Sequence, residues 1–126
     1  FFLYFEETDY CFRSNKNNYK IYQINSQKVY HKIGTSVETK NDKEIKNLRD
    51  LYTWHFMWSK FYFFKKSYGK LFALIYFFPI FLRIIIRVSF YKIIKNQIKK
   101  EKYLLRLDAL LNSIKGSKSF KRLNDT

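Results

Sequence analysis

Residues Leu71 to Leu82 form the longest uncharged stretch of the chain, twelve residues closed by Arg83 and Arg87. So apolar a run must be hidden, either in a protein core or in lipid. Twelve residues fall short of the roughly 20 that a helix needs to cross about 30 Å of hydrocarbon. Extending the run to Phe90 brings in Arg83 and Arg87, each costly at mid-bilayer. Pro79 lacks an amide donor and crowds the carbonyl of Ile75, which predicts a kink or break there. The expectation is therefore an in-plane helix or shallow hairpin at a membrane surface. Phe77 and Phe81 would enter the lipid and Arg83 and Arg87 would reach the headgroups. Trp54, Trp58, Tyr62 and Tyr76 are of types that favour that interface. A buried core helix and a true span are the alternatives.

Helical patterns flank the run. Asn41 followed by Glu44 predicts a capping box. Ile45, Leu48, Tyr52 and Phe56 then recur at helical spacing to about Lys66, with Gly69 as the stop. A last helix is predicted from Lys99 to Lys115, with Leu104, Leu107, Leu111 and Ile114 on one face and Gly116 ending it.

The first part reads differently. Phe1 to Phe5 suits a buried strand or a packed loop. Glu6, Glu7 and Asp9 crowd where a helix N-terminus would favour them, and Asp9 and Arg13 are spaced to meet on that helix. Tyr19–Ile24 and Lys28–Ile33 alternate as two short strands around the turn residues Asn25 and Ser26.

Charge divides the chain. Residues 1–43 carry seven basic and five acidic residues, whereas 44–126 carry 18 basic and five acidic. That excess suits a polyanionic partner, anionic lipid or nucleic acid. AT-rich codons would also enrich Lys, Ile, Phe and Tyr. A single cysteine, Cys11, excludes an internal disulfide, and Cys11 with two distant histidines is not a zinc site.

The stretch Phe1-Phe2-Leu3-Tyr4-Phe5-Glu6-Glu7-Thr8-Asp9-Tyr10-Cys11-Phe12-Arg13 resembles the acidic segment of bacterial family 2 glycosyltransferases, the rhamnosyltransferase-like ones above all. Tyr19-Lys20-Ile21-Tyr22 follows at that family's spacing. Val29 to Ser36 is similar to its V-x-H-x-x-G-x-S element, and Phe64 to Lys70 to its basic K-K-H-Y-G stretch. Three departures stand out: Glu7 where the family commonly has Asp, Ser67 for the usual His, and Trp58-Ser59-Lys60 for a more basic triplet.

The resemblance implies the C-terminal part of a GT-A fold, an α/β fragment. Residues 1–40 would close the catalytic domain with a short β-hairpin, and 41–126 would form a helical, basic, membrane-associating tail. It implies Glu7 as general base, Glu6 and Asp9 orienting the acceptor or the base, Arg13 supporting Asp9, and His31 at the donor diphosphate or its metal. The complete enzyme would transfer a sugar, rhamnose among the candidates, from a nucleotide sugar with a divalent metal (Mg or Mn). The acceptor would be a surface polysaccharide or its lipid-linked precursor, at the cytoplasmic face of the cell membrane. The family's Asp-x-Asp metal motif is absent from these 126 residues, so the piece alone is expected to be inactive. The rival expectation is a non-catalytic basic module for membrane or nucleic acid. No nucleic-acid motif accompanies the charge, and the apolar run suits lipid, so nucleic acid is not the expected partner.

Overall fold

The computed structural model describes residues 1–28, 30 and 41–122. Four helices follow one another: α1 (Glu6–Lys16), α2 (Asp42–Tyr68), α3 (Lys70–Ile93) and α4 (Gln97–Lys115). No strand occurs among the described residues, so the α/β expectation with its hairpin is corrected to an all-helical fold. Tyr19, Ile21, Tyr22 and Ile24 are exposed and form no strand, and of the expected partner Lys28–Ile33 residues 29 and 31–33 lie outside the described residues. Two strands alone are marginal in water without a third strand or a packed face. Alternation therefore had nothing to bury here.

The helix ends follow local chemistry. The Asn41 side chain accepts the Glu44 amide at 2.9 Å, capping α2. Gly69 at φ 91° and Gly116 at φ 86° end α2 and α4 in backbone regions that favour glycine. Asn96 caps α4 by accepting the Lys99 amide at 3.1 Å.

Helix α3 runs through Pro79 as one helix, so the break, one of the two expected outcomes, does not occur. A mid-helix proline costs about 3 kcal/mol. Here the helix is held on both sides of it, with Ala73 and Phe77 buried before it and Ile84 and Tyr91 after it.

Helices α2, α3 and α4 pack mutually around one core. Trp54, Met57, Trp58 and Phe61 of α2 meet Ala73, Phe77 and Ile84 of α3 and Ala109 and Leu110 of α4. Lys46 reaches Glu101, Trp54 Nε1 donates to Asp108 Oδ2 at 2.7 Å, and Ser113 Oγ donates to the Trp58 carbonyl at 3.0 Å. These pairs advance in step, so α4 runs parallel to α2 with α3 returning between them. The face of α4 is rotated from its expected position. Ala109, Leu110 and Ser113 are buried, while Leu104 and Leu111 are exposed.

Candidate functional site

The first five residues are laid along α2 by aromatic contacts. Phe1 meets Tyr62, Phe2 meets His55, Tyr4 meets Tyr52 and Phe56, and Phe5 meets Phe56 and Phe63. Ser59 Oγ fixes their backbone by donating to the Leu3 carbonyl at 2.7 Å. The chain then turns into α1 through two consecutive left-handed residues, Tyr4 (φ 65°) and Phe5 (φ 67°). Each such non-glycine residue costs about 1–3 kcal/mol, and strain of this kind gathers at working sites. Phe5 also caps α1 without a side chain able to accept its free amides. The result is an open, partly positive helix N-terminus carrying Glu6 and Glu7.

The three carboxylates part company there. Glu6 and Glu7 are exposed, whereas Asp9 is buried. Lys66 Nζ donates to both Asp9 oxygens at 2.8 and 2.7 Å, and Arg13 Nε donates to Oδ2 at 2.9 Å. Burial would push the Asp9 carboxyl up, but the hydrogen bonds and charges of Lys66 and Arg13 outweigh it and hold the pKa below the ordinary value. Asp9 therefore stays ionised and fully engaged, tying α1 to α2. Neither Glu6 nor Glu7 forms a side-chain hydrogen bond or ion pair with another described residue.

Lys66 is the partner that single-element reasoning misses, since it lies 57 residues from Asp9. Its signal was the basic Phe64–Lys70 stretch. His31 lies outside the described residues. No group of three or more His, Cys, Asp or Glu suited to a metal ion occurs among the described residues. Asp9, already balanced by two cations, does not fit a divalent ion either. Phe77 is 2% exposed and belongs to the core, Phe81 packs against that core, and Arg83 and Arg87 are exposed on α3.

A second polar centre, which sequence reasoning did not single out, holds the segment after α4. His55, fully buried, has Nε2 2.9 Å from the Lys121 carbonyl and Nδ1 3.0 Å from Ser119 Oγ. A carbonyl can only accept, so Nε2 carries the proton and Nδ1 accepts from the hydroxyl. Trp58 Nε1 donates to the Ser117 carbonyl, and Phe120 packs edge-on to Trp54. Beside this segment lies a cavity of about 420 Å³, walled by Phe1, Trp58 and Tyr62 and lined by Lys65, Lys118 and Arg122. Its chemistry suits an anion with an apolar part, but Glu6 and Glu7 do not line it.

Burial lowers the His55 pKa, the Lys121 carbonyl partly restores it, and the charges of Arg122 and Lys121 lower it further. The unfolded histidine, near 6.5, then binds a proton more readily than the folded one. Its stabilising contribution is complete above about pH 6.5 and is lost as pH falls toward the depressed folded value. Melting temperature is expected to drop for the wild type between about pH 7 and 5.5 and to change less for His55→Gln. Parallel profiles would remove His55 from this role.

No protein-family model, curated protein or solved structure matches this chain.

Proposed function

We propose that the chain is the C-terminal part of an inverting glycosyltransferase resembling family 2, with Glu7 as its general base. The observation that carries this reading is the separation of the acidic residues. Asp9 is locked between Arg13 and Lys66, while Glu6 and Glu7 stand exposed at an open helix N-terminus behind two strained residues, and the resemblance picks Glu7 of the two. An acidic cluster serving only the helix dipole would need no strained approach, since dipole complementarity asks only for proximity.

The chemistry follows from that placement. The Glu7 carboxylate takes the proton of an acceptor hydroxyl as that oxygen attacks the anomeric carbon from the face opposite the leaving group. The bond to the nucleoside diphosphate breaks, and the electron pair leaves with the phosphate oxygen. Glu6 orients the acceptor. Asp9, Arg13 and Lys66 hold α1 in register and do not touch substrate. The donor nucleotide is bound by another segment of a longer enzyme.

The test is acceptor-dependent release of nucleoside diphosphate by the complete protein from a panel of nucleotide sugars, deoxyhexose donors included. Release from at least one donor, with inversion at the transferred sugar, is the expected result. No release from any donor, in protein that melts cooperatively, would overturn the reading.

A further inference from the structure

Helix α3 buries only one of its faces. At about 100° per residue, the inward stripe of Ala73, Phe77, Ile84 and Tyr91 leaves Leu71, Ile75, Phe78, Leu82, Ile86 and Ile93 on the far side. These are not grazing exposures: Leu71 is 74% accessible, Ile75 67%, Phe78 60%, Ile86 67% and Ile93 78%. Arg83 and Arg87 project from a flank rather than from this face, and Arg87 turns toward α4, donating to the Tyr91 hydroxyl at 3.2 Å and lying over the Tyr103 ring. The apolar surface continues across a groove of about 230 Å³ where Leu74 and Phe78 meet Leu110 and Leu111 of α4. An exposed patch of this breadth marks an interaction surface.

Charge narrows the occupant. Residues 51–100 hold ten basic residues and no acidic one. A second copy of this chain, net +15, would set like charge against like, whereas an anionic leaflet answers both the apolar face and the cations beside it. Geometry narrows the orientation. Helix α3 has 24 residues, and an 18-residue stretch of it reaches a mean hydropathy of 2.2. It is about 36 Å long, enough to span. Spanning, however, would drag in α2 and α4, which pack along its other side and carry Lys60, Lys102 and Arg106 at about 2.5–3.5 kcal/mol each.

We propose that α3 lies flat in an anionic lipid leaflet, its outer face at the boundary of headgroups and acyl chains, with α2 and α4 on the aqueous side. The face belongs to Leu71, Ile75, Phe78, Leu82, Ile86 and Ile93, and the flanking Lys70, Arg83 and Lys92 meet lipid phosphates. This rests on α3 alone and holds whether or not the protein transfers sugar.

The experiment is co-sedimentation of the complete protein with phosphatidylcholine vesicles, with and without about 30% phosphatidylglycerol. Binding is expected to need the anionic lipid, to survive about 1 M salt in part, and to weaken at least about tenfold in the Ile75→Ser/Ile86→Ser double variant. Both positions are exposed, so the melt of that variant should match the wild type. In a Cys11→Ser background, nitroxide labels at 71, 75, 82, 86 and 93 are expected at one shallow depth. A depth maximum at 82, with water at both ends, overturns the proposal in favour of a span. Folded protein left in the supernatant also overturns it: a dimer in sedimentation velocity then assigns the face to a second copy, and a monomer to another protein surface.

Discussion

Glu7→Gln in the complete enzyme is expected to lower turnover by about 10²–10⁴-fold, the range for loss of a general base, while donor binding and melting stay unchanged. The amide keeps the shape of an exposed side chain but cannot take the acceptor proton. Asp9→Asn is its counterpart and should behave in the opposite sense. That carboxylate is buried under two cations, so removing its charge weakens the α1–α2 attachment by about 1–3 kcal/mol. The cost is held to that range because Lys66 and Arg13 are 40% and 56% exposed and regain water. Turnover should then fall only as far as α1 loosens, and Glu7→Gln should still abolish what remains. Ordinary turnover in Glu7→Gln, with collapse in Asp9→Asn at an unchanged melt, would transfer the base role to Asp9.

The largest expected loss of stability belongs to Phe61→Ala, about 3–5 kcal/mol. Phe61 is fully buried and meets Phe77 edge-on, with ring centroids 5.1 Å apart. It sits where α2 faces α3, so truncation opens a cavity that neither helix can close without shifting the other. For a bundle this small, such a loss is a large share of the total. Phe78→Ala is the control. Its ring is 60% exposed, and the same truncation should cost little in the absence of lipid. Chemical denaturation of both variants checks the pair, and equal losses would mean that the core is drawn in the wrong place.

Helices were legible where the signal is local. Asn41 with Glu44, Gly69 and Gly116 are terminators whose chemistry acts within a few residues, and they bound α2 and α4 as read. Tyr19–Ile24 misled because alternation reports a two-faced segment only when something lies on each face, and partners are not written in a local pattern. Pro79 misled for a related reason: its local penalty is fixed, while the packing of Phe77 and Ile84 that offsets it is tertiary. On α4, Leu104 and Leu111 looked like core because they are apolar at helical spacing. Ala109 and Ser113 took the inner positions instead, since small side chains let two helices approach closely. At the site, Arg13 was within reach of i,i+4 reasoning, whereas Lys66 and the histidine clasp needed the fold.

The connection between α2 and α3 is the single residue Gly69, and that between α3 and α4 spans only residues 94–96. Those short links set α3 against each of its neighbours, whereas α2 and α4 meet from distant parts of the sequence, Trp54 with Asp108 and Trp58 with Ser113. Helix α1 is different, because it takes no part in that mutual packing and is held to α2 chiefly by Asp9 with Lys66 and Phe12 with Phe63. The acidic helix is therefore expected to be the first element to leave, opening while the bundle stays closed.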